Sequence, residues 1–296
     1  MNPKVTDKMA TGVFSGFAVL IIAVLGGLLG YIIYHGLPQL TLDFLTSRPS
    51  SFQAGGGVGP QLFNSFYILF LTMIFTVPLG LGGGIYMAEY AKPGRITEFV
   101  RSCIEVLASL PSIVIGLFGL LVFVNMTGWG YTLLGGALAL TVFNIPVMVR
   151  VCEDAIRSIP RDQKEASYAL GITHIETIRT VLLPAALPSI ITGGILASGR
   201  VFGEAAALLY TAGLTTPRLS WGNWNPFDES SPLNIFRPAE TLAVHIWNSN
   251  ANGLMPDVRD IADGASAVLV LSVLLFNLLA RVFGSYVHNK MTAGKK

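Results

Sequence analysis

Residues 12–34 contain no Asp, Glu, Lys or Arg, a charge-free run of 23 residues. Wound as a helix such a run is about 34 Å long, enough to cross the roughly 30 Å hydrocarbon layer of a bilayer. In that layer every backbone N–H and C=O must be bonded within the segment, so the run has to be helical. It carries no small-x-small cleavage motif, and the sequence therefore predicts a retained span rather than a secretory leader. Five further apolar runs follow, at about 62–90, 104–124, 131–149, 188–212 and 264–284. Hydrophobic residues make up 52% of the 296-residue chain and charged residues 12%, against about 25% charged in a soluble domain. These features exclude a soluble fold and predict an all-α, polytopic membrane protein: one transmembrane domain, 1–296, with six helices.

Six spans place both termini on one side. Of the 19 Lys and Arg residues, 14 fall in the N-terminus, the loop after span two, residues 150–184 and the C-terminal tail. Positive charge marks the cytoplasmic face, so these segments and both termini are predicted to be cytoplasmic. All four tryptophans (Trp129, Trp221, Trp224 and Trp247) then lie on the outer side. A net charge of +2, spread over separate loops, gives no basis for nucleic-acid binding. Cys103 and Cys152 read as free cytoplasmic thiols, and the four histidines lack metal-ligand spacing. No metal or cofactor is expected. Pro78 and Pro111 predict kinks in spans two and three.

Residues 150–184 are a charged island between two apolar runs. Pro160 begins a set of good helix formers, and Gly171 is placed as a left-handed C-cap. Thr173-His174-Ile175-Glu176 fits a capping box for a second short helix ending before Pro184. The small side chains Ala166, Ser167 and Ala169 would let another protein approach closely; the other reading is an amphipathic helix on the inner leaflet.

This segment resembles the EAA loop of permease subunits in binding-protein-dependent ABC importers, E-A-A-x3-G-x9-I-x-L-P. Glu165, Ala166, Ser167, Gly171, Val181, Leu183 and Pro184 fall on it, with Ser for the second Ala and Val for Ile. The resemblance implies the type I importer permease fold, with the first helix seated in a cleft of a cytoplasmic ATPase dimer and Gly171 setting the angle between the two helices. The sequence has no G-x-x-x-x-G-K-[ST] phosphate loop, so the resemblance makes this chain a transport subunit and puts ATP hydrolysis on another polypeptide. Further segments resemble one branch, the A-type permease of the Pst phosphate importer. They are G-G-G-V-G-P at 55–60, P-L-G-L-G-G-G-I-Y-M-A-E-Y-A at 78–91, L-P-S-I-V-I-G-L-F-G at 110–119, R-S-I-P-R-D at 157–162, R-V-F-G-E-A-A-A-L-L at 200–209 and V-L-L-F-N-L-L-A-R at 273–281. This branch implies inward phosphate transport across a bacterial plasma membrane, a second permease subunit and an extracytoplasmic phosphate-binding protein. The chain departs from it at Ala205-Ala206-Ala207, where T-A-P is usual.

Arg200 lies 12 residues beyond Pro188, about 18 Å along a helix, at a depth where an unpaired charge is costly. With Glu204 at i+4 the pair reads either as a structural ion pair or as an oxyanion contact in which Glu204 moderates Arg200. Ser112, Thr72, Thr76 and Asn144 are polar groups within spans that either line a pathway or bond to backbone carbonyls. Gly199 and Gly203 form a ridge suited to packing against a second permease. Within the outer loop, 213–263, Pro238, Ala239, Leu242, Ala243, Ile246 and Trp247 predict a short helix along the interface, as a binding-protein platform or a lipid anchor. Asp257, Asp260 and Asp263 share a helical face, either as a cation site or as charges favoured at the start of the sixth helix.

Overall fold

The computed structural model describes residues 3–50, 54–253 and 256–293, and no strand occurs among them. Helix α1 (Pro3–Gly36) leads through a 3-10 turn, Leu37–Gln39, to the short α2 (Leu42–Thr46), whose N-cap Thr41 accepts the Phe44 N–H. Helix α3 (Gly59–Ile85) starts with Pro60, where a missing N–H loses no helical partner, and ends in a π turn, Tyr86–Tyr90. Next come α4 (Arg95–Ser109), α5 (Ser112–Gly119) with its π continuation Leu120–Met126, and α6 (Leu133–Arg157), capped by Thr132. Helix α7 (Arg161–Ala169) precedes α8 (His174–Thr177), which passes through a π turn, Ile178–Leu182, into α9 (Leu183–Phe202). The chain closes with α10 (Ala206–Thr211), α11 (Leu242–Asn252) and α12 (Val258–Ala293).

The glycine-rich loop before α3 is shaped by close packing on α2. A side-chain carbon added to Gly57 would lie 2.3 Å from the Phe44 carbonyl oxygen, and the Val58 N–H donates to that same oxygen at 2.8 Å. Gly56 sits at φ +113, open to glycine and strained for other residues. This loop fixes the start of α3.

Contacts at the two ends of the bundle give the number of crossings. Near the start of α3, Asn64 Oδ1 accepts from Arg237 and Gln61 Nε2 donates to Glu240; near the start of α6, the Leu133 N–H donates to the Arg237 carbonyl. At the other end, Arg157 of α6 donates to the Met87 carbonyl at 3.0 Å. Helices α3 and α6 therefore run in the same direction, so residues 91–132 must return from one end to the other. α4 and α5 make that return as one broken span, bent by 98°. With the five long apolar helices, Asp7–Gln39, Gly59–Tyr90, Leu133–Arg157, His174–Phe202 and Val258–Tyr286, the chain crosses six times.

Three expectations change. The third span is not a single kinked helix over 104–124: the kink expected at Pro111 is a full break between α4 and α5. Leu110 is held extended before Pro111 (ψ 138), as steric conflict with the proline ring requires, and the chain turns sharply there. The helix of the fifth span does not begin at Pro188, nor does the capped helix end before Pro184: one continuous helix runs from His174 to Phe202. The π turn ahead of Pro184 absorbs the missing N–H without breaking the helix. Finally, α11, the helix expected along the interface, turns Leu242, Ala243, Val244 and His245 into the protein and leaves Trp247 exposed. It packs against α12 and α3 rather than lying free along the surface.

Candidate functional site

Two groups of residues carry the functional argument, one at mid-depth and one at the end of the bundle where Arg157 meets Met87. At mid-depth, α9 presents Arg200 on an exposed face, its guanidinium carbon 3.6 Å from the centroid of the Phe143 ring of α6. Phe143 is ten residues into α6, about 15 Å from its start and about 21 Å from its end. The predicted Arg200–Glu204 pair does not form. The helix ends at Phe202 with Gly203 as its C-cap, so Glu204 leaves the i+4 position, and its Oε1 instead accepts the Ala207 N–H at 3.2 Å. The carboxylate thereby satisfies a first-turn donor of α10, where the helix dipole favours negative charge. Arg200 makes neither a hydrogen bond nor an ion pair with the described residues and is held by cation–π stacking.

Ser112 is half-buried at the start of α5. One turn on, an added carbon at Gly116 would lie 2.9 Å from the Ala207 Cα, so α5 rests directly on the helix that Glu204 caps. Thr72, Thr76 and Asn144 are fully buried rather than facing an open passage; Asn144 Nδ2 donates to the Leu140 carbonyl at 2.8 Å. Gly199 lies 3.8 Å, by its added carbon, from Asn277 of α12, and Gly203 is a helix cap. Asp257 Oδ2 accepts the Gly55 N–H at 2.7 Å, which ties the start of α12 to the glycine loop. No group of acidic, His or Cys side chains able to hold a metal occurs among the described residues.

At the end of the bundle, α7 is short and exposes Glu165 and Ala166, while Ser167 is buried and donates to the Gln163 carbonyl at 3.0 Å. Gly171 adopts φ +78, the left-handed conformation that the C-cap reading requires, and its N–H donates to the Tyr168 carbonyl at 2.9 Å. Thr173 caps α8, accepting the Glu176 N–H at 3.4 Å. Leu170 and Ile175, on either side of the glycine, are 79% and 58% exposed, an apolar tip projecting from the protein. Leu183 and Pro184 are half-buried in the continuous helix below.

Sequence reading missed a second set of residues here. Glu89, in the final turn of α3, pairs through one carboxylate oxygen with Lys164 of α7 and lies 3.0 Å from His174 Nε2 of α8. Its one available signal was isolation: between Asp43 and Glu98 it is the only acidic residue. At the opposite end of the bundle a buried network was likewise missed. Glu240 accepts from Gln61 (2.8 Å) and Asn248 (3.2 Å) and lies 3.1 Å from His245 Nδ1. Arg237 reaches Asn64 Oδ1 (2.8 Å) and the Pro232 carbonyl (3.0 Å), and burial pushes its guanidinium down to about 10, still charged at neutral pH.

Comparison with known proteins matches residues 80–293 to the family described as "Binding-protein-dependent transport system inner membrane component". The chain is 67% identical over 293 residues to the "Probable ABC transporter permease protein YqgI" of Bacillus subtilis (strain 168), covering 99% of this chain and 100% of that one. It is 33% identical to the "Phosphate transport system permease protein PstA" of Xylella fastidiosa (strain 9a5c), over 84% of this chain and 82% of the relative. Among solved structures, a bacterial alginate ABC transporter in complex with its pentasaccharide-bound periplasmic protein superposes with TM-score 0.64 at 14% identity, covering 96% of each chain. The MetNI methionine ABC transporter superposes with TM-score 0.57 at 18% identity, over 78% of this chain and 94% of that one. These two show the fold, that of type I ABC importer permeases. The chain belongs to the inner-membrane components of binding-protein-dependent transport systems, as a permease subunit of an ABC importer.

Proposed function

We propose that this permease carries inorganic phosphate inward as one half of a heterodimeric channel, powered by a separate cytoplasmic ATPase dimer and supplied by an extracytoplasmic phosphate-binding protein. The supporting observation is Arg200: a guanidinium at mid-depth, exposed on the chain's own surface and stacked on Phe143, with no direct ion pair to a carboxylate among the described residues. Facing lipid, such a charge is costly, so the face has to meet protein or water. A second permease subunit covering this face would enclose a passage in which Arg200 offers its N–H donors to a tetrahedral oxyanion. Glu204, its carboxylate engaged at α10, moderates Arg200 through space without pairing with it, and Ser112, at the start of α5, is the hydroxyl we assign to the same passage. The relatives named for phosphate transport support this choice of anion. A B. subtilis permease named YqgH, 37% identical over 201 residues, supports a partner of similar sequence.

The exposed α7, with Glu165, Ala166 and the Gly171 cap, docks the ATPase, and Leu183 and Pro184 pass its movement into α9. The concentration of Lys and Arg at that end makes it, with both termini, the cytoplasmic side. Reconstitution in proteoliposomes with the partner subunits tests the assignment by comparing ATP-driven uptake of phosphate, sulfate and molybdate. Phosphate is expected to be preferred strongly, and equal sulfate uptake would end the phosphate reading. Arg200→Ala is expected to abolish uptake in a complex that still assembles; near-normal uptake would reduce Arg200 to a structural role.

A further inference from the structure

Glu89 is a carboxylate in an unfavourable place. It lies at the C-terminal end of α3, where the unpaired carbonyls of the last turn repel negative charge, and its side chain is only 8% exposed. Two positive or proton-donating groups offset this, both from the charged segment that follows α6: Lys164 of α7 and His174, the first residue of α8. The imidazole of His174 is in turn flanked by Tyr90, with ring centroids 4.9 Å apart, and by Tyr168, at 6.3 Å. Arg157 secures the same turn from α6 through the Met87 carbonyl. The end of the second span thus holds α7 and α8 on either side of the Gly171 cap.

The body to which they are clasped is closely packed. An added carbon at Gly80 would meet the Met148 side chain at 2.4 Å, and one at Gly84 would meet the Cys152 Cβ at 2.3 Å, so α3 lies against α6 with no room to slide.

We propose that Glu89 is the positioning residue that couples the docking segment to the second span, its carboxylate bridging Lys164 and His174 so that α7, α8 and α3 move as one body. The proposal rests on the reading of α7 as the ATPase-docking helix. The test uses the complete transporter in proteoliposomes and reads substrate transported per ATP hydrolysed. In Glu89→Gln the ATPase is expected to stay bound and to hydrolyse ATP while transport per ATP falls about tenfold, within the usual range for coupling between sites. Lys164→Glu is expected to show the same fall, and the exchanged pair, Glu89→Lys with Lys164→Glu, to recover most of the ratio. A wild-type ratio in Glu89→Gln, or an assembled exchanged pair that stays uncoupled, overturns the clasp. So does a Glu89→Gln protein that cannot assemble, since Glu89 would then serve folding alone. Glu165→Arg, on the exposed face of α7, separates the two readings. If that variant keeps a bound and coupled ATPase, the docking reading itself fails; if it releases the ATPase while Glu89→Gln behaves as wild type, only the clasp fails.

Discussion

At Glu240, 4% exposed, three donor-bearing side chains from two helices converge on one carboxylate: Gln61 of α3, and His245 and Asn248 of α11. Its backbone is held as well, the carbonyl accepting from Asn64 and the N–H donating to Thr216 Oγ1. Glu240→Ala would leave those donors buried without an acceptor, a loss of about 3 kcal/mol by analogy with other broken buried pairs. Thermal unfolding of the detergent-solubilised protein should show a clearly lowered midpoint, and an unchanged midpoint would mean the network contributes nothing. No pattern in the sequence exposes this network, because Gln61 and Glu240 lie 179 positions apart and only the fold brings them together. Arg200 was legible for the opposite reason, as a charge inside an apolar run. Its pairing with Glu204 was misjudged because the i+4 rule assumes a helix that continues, and Gly203 ends this one.

Among the elements, the glycine run of α3 shows how little a composition reading says about individual positions. Gly82 faces outward with nothing within 4 Å of an added carbon, whereas the same carbon on Gly84 would overlap Cys152 of α6 at 2.3 Å. Gly82→Ala should therefore be neutral or stabilising by up to about 1 kcal/mol, the helix-propensity difference. Gly84→Ala should be destabilising by roughly 1–3 kcal/mol, the usual cost of overpacking. Equal melting temperatures for the two variants would refute the tight α3–α6 contact. Gly171 was readable from sequence because a short helix followed by glycine and a capping threonine specifies a left-handed turn locally, and its φ of +78 agrees. Gly171→Val forces a β-branched residue into that region at about 1–2 kcal/mol. The expected result is ATP hydrolysis uncoupled from transport, and intact coupling in this variant would exclude a hinge at Gly171. The break at Pro111 was only half legible: the proline marks a change of direction, but the 98° angle is set by how α5 seats on α10 and how α4 reaches α6 through Arg101 and Glu153, 2.6 Å apart.

For the whole molecule, the number of crossings decides which face each terminus occupies, and the broken span is the one ambiguous element. Residues 112–126 form a helical stretch of about 22 Å, as do residues 95–109, and neither alone matches a hydrocarbon layer of about 30 Å. A re-entrant loop would satisfy those lengths with five crossings and put the termini on opposite faces. The contacts argue against it, because α3 and α6 start at the same end and finish at the same end, so the chain between them has to cross. At the far end of the pair, Gly130 donates to the Val124 carbonyl and Thr132 to the Thr211 carbonyl, which brings the chain to the starting end of α6 before α6 begins. Epitope tags on both termini are therefore expected to be cleaved together by protease added to inside-out vesicles and protected together in right-side-out vesicles. Cleavage of one tag in each preparation would establish five crossings and would remove the end-to-end path from the docking helix through α9 to Arg200, since that path depends on α9 spanning from the cytoplasmic end.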